Sequence, residues 1–528
     1  MKKIICLLMV LVLAFSLWGC AQTESNGETQ NNPLAKPDNK NTSQTISLLC
    51  SYSDSFNPYF AKTSANRAIA SLLYDSLVMT DNNFEPVNVL ASSVEIADKT
   101  CTVKLKSANF SDGTAVTADD VVYSYNTAKA SARYTHNFYE VMSVSVLDSK
   151  TVVFNLSQCD PYFANLLTFP IIKSGTADLT DDDGKEIPPT GCGKYVLSPD
   201  DTSFKLNQNY HGKKGQIETI NLINSPDEAS TSHYVEVGAT AIYYTEGDKI
   251  VRMSGKKTNV SLNHLIYIGV NNNYGSLATK EMRYALSSAI DRASICRTAY
   301  YNNAVSATGF FNPNFKVTSA LQTIEANANS KITVENLSKI GYNSMNSNGY
   351  YGNSAGNNPV FSLLVNSENS SRVAAAKMIA EQCKAAGIQI NVVECTYEQY
   401  IERLTNGSFH LYLGEVLVGN NMDFAPLVAS GGSAGYGVVE NNTSDSTKPT
   451  QDTEQGATQV ALNYCETILK SYHEGSCSIS DVATTLLTEM PHIPVCYLNG
   501  VLFYNSSIKS GVNASSNDIY LGFENYEF

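Results

Sequence analysis

Cys20 is the residue whose type and position point most directly to chemistry in this sequence. It follows two lysines, Lys2 and Lys3, and an apolar run over residues 4–18. A short positive start, an apolar stretch of this length and a small residue before the junction are typical of a secretory signal peptide, and the run is too short for a stable membrane span. The sequence therefore predicts a signal peptide over residues 1–19, with a nucleophilic thiol at the cleavage junction, and a protein that works outside the cytoplasm.

The junction Leu17-Trp18-Gly19-Cys20 resembles the lipobox of bacterial lipoproteins, in which the cysteine is acylated and becomes the first residue of the mature chain. Trp18 departs from the small or β-branched residue usual in that motif, and an ordinary signal peptide with an incidental cysteine is the alternative. Residues 20–45 are polar and carry almost no large apolar side chain, which predicts a flexible linker. The resemblance implies that lipidation of Cys20 anchors a soluble domain to the bacterial cell membrane.

The remaining cysteines and the histidines show no metal-ligand pattern. Of the 12 cysteines, Cys6 lies in the signal peptide and Cys20 at its end, and the other ten contain no C-x-x-C pair. The seven histidines contain no H-x-x-x-H pair. Most of the ten cysteines lie in apolar segments, where a free thiol behaves as a small buried hydrophobe. We predict no cofactor and no metal site, and one or two disulfides stay open as an alternative.

Two G-x-S-x-G sequences, around Ser354 and Ser433, match the motif of a serine hydrolase. A nucleophile elbow needs a buried strand before the serine and a helix after it. Ser354 is instead surrounded by Asn, Gly, Tyr and Pro residues that are typical of loops, and the surroundings of Ser433 fit little better. We therefore predict no catalytic residue, and an enzyme is the least favoured alternative.

The composition is that of a globular protein with more than one folded unit. The chain has 528 residues, of which 43% are hydrophobic and 16% charged, and its formal net charge is −14. The part after the linker is far too long for one small core, so we expect at least two lobes. The acidic balance argues against nucleic acid or anionic lipid as the partner, although a ligand pocket can differ from the average charge.

Hydrophobic periodicity predicts a mixed α/β chain with several sheets. Apolar residues at helical spacing predict helices over residues 64–77 and 280–290 and near residues 162–168, and alternation predicts a hairpin within residues 94–105. Residues 312–358, which are rich in Asn, Ser and Gly, are predicted to be mostly loop.

Two further segments carry specific boundary signals. Thr117 is the predicted N-cap of a helix whose first turn contains Asp119 and Asp120. Residues 360–393 predict a strand, a helix and a second strand, with Gly387 ending the helix. After residue 497 the chain is expected to end in a short strand.

The order of these segments resembles the bacterial extracellular solute-binding proteins of the peptide/nickel/oligosaccharide class (family 5), the oligopeptide- and dipeptide-binding family of ABC importers. The most specific match is residues 110–124, which are similar to F-x-D-G-x-x-x-T-A-x-D-V-x-x-S. Residues 190–195, 283–292 and 491–494 are similar to the G-T-G-P-Y turn, R-x-A-L-x-x-A-I-D-R and P-x-I-P of that family. These are mostly turn, cap and helix-face residues, so we expect them to identify the fold and not to touch ligand.

The resemblance implies an α/β, two-lobed periplasmic-binding-protein-like fold of the large, cluster C type, with a hinge and a ligand cleft between the lobes. Lobe I would cover residues 46–270, with an extra subdomain near 78–190, and lobe II residues 271–485. The chain would return to lobe I over residues 486–528, with crossings near Val270–Asn271 and near residue 485. Closure around a ligand would be a hinge motion.

The resemblance also implies where ligand contacts lie. Peptide-binding members hold the α-ammonium group of the peptide with an acidic side chain of lobe II, after a strand that corresponds here to residues 409–414. The usual G-W and D-x-x-D-P are absent here, so Glu415 and Asp423 are competing candidates. A charge-assisted hydrogen bond of this kind contributes about 1.5–3 kcal/mol. The remaining candidates are the loop after the first strand and two residues near the expected hinge: Tyr52, Ser53 and Asp54, and Tyr267 and Asn271.

The function implied is that of a substrate-binding lipoprotein of an ABC transporter. It would capture oligopeptides or a similar small solute, deliver them to a membrane permease, act as a monomer and perform no catalysis. One alternative is a ligand sensor or pheromone receptor lipoprotein on the same fold. The other is a protein that binds nickel, haem or an oligosaccharide instead of a peptide.

Overall fold

The computed structural model describes residues 44–246, 255–317, 323–438 and 463–528. The predicted signal peptide, Cys20 and all but the end of the predicted linker lie outside these residues. Among the described residues, no helix combines the length and the apolar character that crossing a bilayer requires.

Strands and helices alternate along the chain, as the periodicity predicts for a mixed α/β protein. The described strands are β1 (Gln44–Cys50), β2 (Val78–Thr80), β3 (Pro86–Asn88), β4 (Ala91–Ala97), β5 (Thr100–Leu105), β6 (Val141–Asp148), β7 (Thr151–Leu156), β8 (Tyr195–Leu197), β9 (Ser203–Leu206), β10 (Ile217–Asn224), β11 (Ile242–Thr245), β12 (Lys256–Val270), β13 (Ala304–Ser306), β14 (Ser344–Met345), β15 (Tyr351–Gly352), β16 (Val360–Asn366), β17 (Gln389–Cys395), β18 (Leu411–Leu417) and β19 (Ile493–Tyr504). The described α-helices are α1 (Ser64–Leu73), α2 (Ala118–Ala130), α3 (Glu228–Glu236), α4 (Lys280–Ser288), α5 (Arg292–Thr298), α6 (Ser330–Lys339), α7 (Ser370–Ala385), α8 (Tyr397–Thr405), α9 (Ala425–Val428), α10 (Tyr464–His473) and α11 (Ile479–Glu489).

Two four-stranded sheets are built from the first half of the chain. In one sheet β1 pairs in parallel with β10, and the order is β1-β10-β9-β8. The other sheet is antiparallel with the order β4-β5-β7-β6, and it contains the predicted hairpin, which is confirmed as β4 and β5. Both sheets face one hydrophobic core, in which Leu48 and Val103 are completely buried.

Two long strands organise the largest sheet, whose order is β11-β19-β12-β18-β16-β17, with β13 also paired to β19. β12 and β19 are antiparallel. Residues 256–261 pair with residues 504–499, and residues 265–268 pair with residues 497–493. The register shifts between Ser261 and Leu265, so an irregularity of the β-bulge kind separates two halves of the strand pair.

The two halves of this strand pair belong to different hydrophobic cores. Val260 and Leu502 pack in the first core, which also contains the two four-stranded sheets. Leu262 and Leu498 pack in a second core, and Leu265 packs in a third. Because successive side chains of a strand point to opposite faces, the second and third cores lie on opposite faces of the same half-sheet.

The change of core therefore falls at residues 260–262 and 498–502. The sequence predicted crossings between lobes near Val270–Asn271 and near residue 485. Those crossings stay a prediction; Val270 is the last residue of β12 and packs in the second core.

Several predicted boundaries are confirmed, and each depends on one residue. The hydroxyl and the backbone N–H of Thr117 both donate to Asp120 Oδ2, at 2.7 and 2.9 Å, where α2 begins. The parallel strands β16 and β17 flank α7, and Gly387 follows that helix at φ +81°. A Cβ atom at residue 387 would also lie 2.6 Å from the ring of Tyr351, so glycine is required there for two reasons.

Other predicted elements are only partly correct. α1 ends at Leu73 because Tyr74 has extended backbone angles, φ −133° and ψ 118°. Only a short 3₁₀ helix, Phe163–Leu166, occupies the predicted helix near residues 162–168. The described part of residues 312–358 is mostly loop, as predicted. It also contains α6, which is capped by Asn329 and packs against α4 through a Thr333 to Ser288 hydroxyl contact of 2.9 Å. The last strand, β19, has 12 residues and is not short.

The cysteines of the described residues are free thiols, so no disulfide joins them within that part of the chain. Nine of these ten side chains are buried and one, Cys477, is half-buried. They are distributed over all three cores, with Cys50, Cys101 and Cys192 in the first, Cys296, Cys383 and Cys496 in the second, and Cys395 and Cys465 in the third.

Two buried arginines fix the segment that leads into β19. Arg283 donates to the carbonyl oxygens of Met490 and Glu489 at 2.9 and 2.7 Å. Arg292, which is 1% exposed, donates to the carbonyl oxygen of Pro494 at 2.9 Å, and also to Ser287. Burial lowers the pKa of Arg292 to about 10. Both arginines belong to the R-x-A-L-x-x-A-I-D-R segment, and their bonds are to the chain itself, as expected for residues that identify the fold.

Replacing Arg292 is expected to destabilise the protein strongly. In Arg292→Ala the carbonyl groups of Pro494 and Ser287 lose their donor inside the second core, and a cavity remains. We expect a loss of about 3–5 kcal/mol in the free energy of unfolding, measured by urea denaturation. Arg297→Ala, in the exposed last turn of the same helix, is the matched control and should lose less than about 0.5 kcal/mol. Equal losses in the two variants would contradict the role of Arg292.

Candidate functional site

The candidate site is built around the pairing of β12 with β18. Tyr267 lies opposite Gly414, and Ile266 lies opposite Glu415. Because directly paired residues point to the same face and neighbours along a strand to opposite faces, Tyr267 and Glu415 point to opposite sides of the sheet. These two predicted ligand contacts therefore do not share one surface.

Glu415 is held by two basic side chains from other elements. Its Oε1 accepts a hydrogen bond of 2.7 Å from His264 Nδ1 on β12, and its Oε2 forms an ion pair with Arg372 in the first turn of α7. The three side chains are 21–28% exposed. Burial lowers the pKa of His264; Glu246 opposes this effect and Arg372 adds to it. The carboxylate of Glu415 thus already has a permanent cationic partner before any ligand arrives.

Asp423 has different surroundings in the loop between β18 and α9. Its Oδ1 accepts from the backbone N–H of Ala425 at 2.9 Å and lies 3.6 Å from His473 Nε2. Burial lowers the pKa of His473, an effect that Asp423 opposes. Its side chain is 23% exposed, so part of the carboxylate is accessible to a ligand.

Two further carboxyl groups lie close enough to Asp423 to interact electrostatically with it. Burial, together with the nearby carboxylates of Asp160 and Asp423, raises the pKa of Glu140 to about 8. Burial also raises the pKa of Asp160 to about 6, with Asp423 adding to the shift and the amide of Asn421 opposing it. These groups form an acidic cluster, Glu140, Asp160 and Asp423, between residues 140–160 and the loop after β18.

This acidic cluster lies where two parts of the chain meet. Asn421 Nδ2 donates to Asp160 Oδ2 at 2.9 Å, and Asn165 Nδ2 donates to the carbonyl oxygen of Asn420 at 3.0 Å. The backbone N–H of Cys159 donates to the carbonyl oxygen of His473 at 2.9 Å. The predicted extra subdomain therefore contacts the loop that carries Asp423.

The polar groups of the loop after β1 form hydrogen bonds with neighbouring parts of the same chain. The carboxylate of Asp54 accepts from the backbone N–H groups of Lys62 and Thr63 and from the hydroxyl of Thr63, at 2.7–3.0 Å. Burial alone would raise the pKa of Asp54, but these hydrogen bonds lower it below its ordinary value. Ser53 contacts Ser51 through its hydroxyl at 3.0 Å. Tyr52 is 44% exposed, and its hydroxyl donates to the carbonyl oxygen of Leu222 at 3.1 Å.

Tyr267 and Asn271 have internal partners. Tyr267 is 2% exposed, and its hydroxyl lies 3.3 Å from that of Tyr412. A Cβ atom at residue 414 would approach the Tyr267 ring to 2.7 Å, so Gly414 makes room for it. Asn271 Nδ2 donates to the carbonyl oxygen of Phe409 at 3.0 Å, beyond the far end of β12. A ligand role for the seven residues chosen from the sequence stays a prediction.

The sequence did not identify the partner residues that distinguish the surroundings of Glu415 from those of Asp423. His264 and Arg372 are 151 and 43 residues from Glu415 in the sequence, and Asp160 and Asn421 are 261 residues apart. No local motif links such partners. The one available signal was that Arg372 falls in the first turn of a predicted helix.

His492 connects β12 to α9, the short helix that follows the loop carrying Asp423. Its Nδ1 accepts from the backbone N–H of Val270 at 3.1 Å, and its Nε2 lies 3.2 Å from the carbonyl oxygen of Leu427. The ring therefore acts as the neutral Nε2–H tautomer. It is completely buried, next to the ring of Tyr267 at 5.4 Å, and burial lowers its pKa to about 3.

Comparison with known proteins places this arrangement among transport proteins. The model of the bacterial extracellular solute-binding proteins, family 5, matches residues 85–437. The chain is 24% identical over 421 residues to the oligopeptide-binding protein AppA of Bacillus subtilis (strain 168), covering 75% of this chain and 77% of AppA.

A second relative and a solved structure agree with this match. The glutathione-binding protein GsiB of Escherichia coli (strain K12) is 26% identical over 276 residues, covering 49% of this chain and 54% of GsiB, so the chain matches about half of that relative. The ABC transporter substrate-binding protein CtaP of Listeria monocytogenes superposes with a TM-score of 0.67 at 19% identity, covering 92% of this chain and 99% of CtaP.

The buried His492 predicts a pH-dependent contribution to stability. Its folded pKa of about 3 lies below the ordinary value of 6.5, so below pH 6.5 the unfolded chain takes up a proton that the folded chain does not. The contribution of neutral His492 to the free energy of unfolding is complete above pH 6.5. Below that pH it falls by about 1.4 kcal/mol for each pH unit.

We expect the destabilisation caused by His492→Gln, measured by urea denaturation, to be largest at pH 7.5 and to shrink steadily from pH 6 to pH 4.5. His233→Gln changes an exposed histidine and should have only a small effect on stability. A His492→Gln effect that stays constant with pH would contradict the prediction.

Proposed function

Because the chain belongs to the bacterial extracellular solute-binding proteins of family 5, we propose that it captures peptides between two lobes and delivers them to an ABC permease. Relatives with this fold confirm the α/β, two-lobed architecture expected from the sequence. The names of AppA and GsiB, an oligopeptide-binding and a glutathione-binding protein, support a peptide or peptide-like ligand.

We propose lobe boundaries where the chain passes from one core to another. These positions differ from the crossings near Val270–Asn271 and residue 485 that the sequence resemblance implies. One lobe is centred on the first core and the other on the second and third cores, with the crossings at residues 260–262 of β12 and 498–502 of β19. The register shift between Ser261 and Leu265 supports a hinge at this position, because the ladder between β12 and β19 is interrupted there.

The observation that carries the proposal is the contrast between the two candidate carboxylates. Glu415 is neutralised by Arg372, whereas Asp423 lies in the acidic cluster with Glu140 and Asp160. An ammonium group bound at Asp423 would be attracted by the carboxylates of Asp423 and Asp160, whereas the raised pKa of Glu140 leaves that group largely protonated at neutral pH. An ammonium group bound at Glu415 would be repelled by the guanidinium of Arg372. We therefore assign Asp423 as the partner of the α-ammonium group and Glu415 as a residue that orders the sheet.

The proposal includes lipid attachment at Cys20, with an acylated cysteine and a flexible linker holding a monomeric binding domain near the permease. The same fold in a sensor or pheromone receptor is the alternative, and nickel, haem or an oligosaccharide are the alternative ligands. Which ligand stabilises the protein distinguishes a peptide from these ligands, and uptake of that ligand by cells distinguishes import from sensing.

The ligand assignment can be tested by thermal unfolding of residues 46–528 with pooled di- to hexapeptides, oligosaccharides or nickel. The only tryptophan is Trp18, in the signal peptide, so a dye or calorimetry is needed. A peptide at about 100 times its Kd adds about 2.7 kcal/mol to the free energy of unfolding and raises Tm. Stabilisation only by nickel or sugars would contradict the peptide assignment.

Peptide affinity should then separate the two carboxylates. We expect Asp423→Asn to weaken binding about tenfold or more, because one charge-assisted hydrogen bond contributes about 1.5–3 kcal/mol. Glu415→Gln should weaken binding less and lower Tm in the absence of ligand. Glu402→Gln, an exposed change on α8, is the control for net charge. A larger loss of affinity in Glu415→Gln than in Asp423→Asn would overturn the assignment.

Lipid attachment can be tested in cells that make the full-length protein. Cys20→Ser should abolish incorporation of radioactive palmitate and move the protein from the membrane fraction to the soluble fraction, because the acyl chains are the proposed anchor. Cys6→Ser, inside the apolar run, is the matched control and should change neither readout. Membrane-bound Cys20→Ser protein would argue for another mode of attachment.

A further inference from the structure

A cavity lies beside the first core, and its lining includes none of the candidate ligand contacts discussed above. Its volume is about 370 Å³, and it separates two walls: β8 with the residues that follow it, and residues 181–191. Leu73 and Tyr74, at the end of α1, close it on one side. We call this cavity the edge slot.

The first wall of the edge slot is the unpaired side of a strand. β8 is the last strand of the order β1-β10-β9-β8 and pairs only with β9 within the described sheet. The backbone N–H of Asn207 donates to the carbonyl oxygen of Lys194, and that of Ser198 donates to the carbonyl oxygen of Ser203, both at 2.8 Å.

This alternation fixes where the remaining backbone groups of β8 point. In an antiparallel ladder only every second residue bonds to a given neighbour, so residues 194, 196 and 198 face β9. The N–H and C=O groups of Tyr195 and Leu197 therefore point away from β9, toward the edge slot that these residues line. They form a row of donors and acceptors that can receive another strand.

The second wall does not supply that strand. It is a short hairpin in which the backbone N–H of Ile187 donates to the carbonyl oxygen of Leu179 at 2.8 Å. Pro188 and Pro189 follow and line the slot. Because proline has no N–H group, this segment lacks two of the donors that it would need to pair with β8. Ile187 is 41% exposed and gives the wall an apolar surface.

The charges around the slot are mostly negative. Asp181, Glu186 and Asp201 line it together with a single basic residue, Lys185, which already forms an ion pair with Asp201. A ligand with basic side chains complements this rim, and one with acidic side chains is repelled by it.

We propose that the edge slot binds a short extended peptide with basic side chains, which adds to the sheet as a strand beside β8. Four backbone hydrogen bonds form with Tyr195 and Leu197, an apolar side chain of the peptide packs on Ile187, and its basic side chains face Asp181 and Glu186. Such strand addition draws affinity from the main chain and specificity from alternate side chains. The site is distinct from the cleft between the lobes and does not depend on the function proposed for that cleft.

The test uses two blocked peptides, acetyl-Lys-Val-Lys-Val-Lys-amide and acetyl-Glu-Val-Glu-Val-Glu-amide, with residues 46–528 of the protein. Hydrogen exchange of backbone amides, measured by mass spectrometry at single-residue resolution, reports on the site. We expect the lysine peptide to slow exchange at Tyr195 and Leu197 about tenfold or more at saturation. The amide of Val196, already bonded to β9, should change less and serves as the internal reference.

Two variants locate the effect. Asp181→Lys combined with Glu186→Lys should weaken binding of the lysine peptide about three- to tenfold, in line with exposed ion pairs. Glu398→Lys with Glu402→Lys on α8 makes the same change of charge elsewhere and should leave affinity unchanged. Leu197→Pro removes one outward N–H and should also weaken binding, with its Tm measured to verify folding.

Three results would overturn the proposal. One is unchanged exchange at Tyr195 and Leu197 under a saturating concentration of the lysine peptide. Another is equal affinity for the two peptides, and the third is protection confined to residues 411–428, which would place all peptide binding in the cleft. Loss of cleft binding in Asp423→Asn, with protection of Tyr195 and Leu197 retained, would support two separate sites.

Discussion

β12 and β19 form the antiparallel strand pair on which the other parts of the structure depend. Their first halves complete the first core, and their second halves form the middle of the sheet between the second and third cores. Buried backbone must find hydrogen-bond partners, and the guanidinium groups of Arg283 and Arg292 supply them for the segment leading into β19. The ladder between β12 and β19 is interrupted at the register shift between Ser261 and Leu265, which is why we propose the hinge there.

The loop after β18 shows how one sheet creates two different electrostatic environments. Glu415 is still within the strand, so its side chain points to the face that carries α7 and meets Arg372. Asp423 lies beyond the strand and meets Asp160 and Glu140 across the contact with residues 140–165. Two carboxylates eight residues apart thus differ in charge balance because the strand ends between them. This difference, and not the residue type, is the basis on which we propose Asp423 as the partner of a cationic group.

Local signals in the sequence predicted much of the fold, and long-range partners decided the rest. Thr117, Gly387 and the alternation within residues 94–105 act through neighbouring residues, so their predictions were confirmed. α6 was missed because its sequence is mostly polar and buries only a few residues, such as Thr333 and Leu337. β19 was judged too short because a strand buried on both faces shows no alternation. The partners of Glu415 and Asp423 come from distant segments, and so the sequence named both carboxylates without separating them.

Buried thiols lie in all three cores, so their reactivity can report which core unfolds first. Burial raises the pKa of Cys50, Cys101, Cys383 and Cys465 to about 12, so these side chains stay protonated and unreactive while their surroundings are closed. Each of the three cores contains at least two buried cysteines. An alkylating reagent would therefore modify them in the order in which the cores open, and peptide mapping would show which core is lost first. In a chain whose folded part has no tryptophan, cysteine reactivity can follow each core separately where fluorescence has no intrinsic probe.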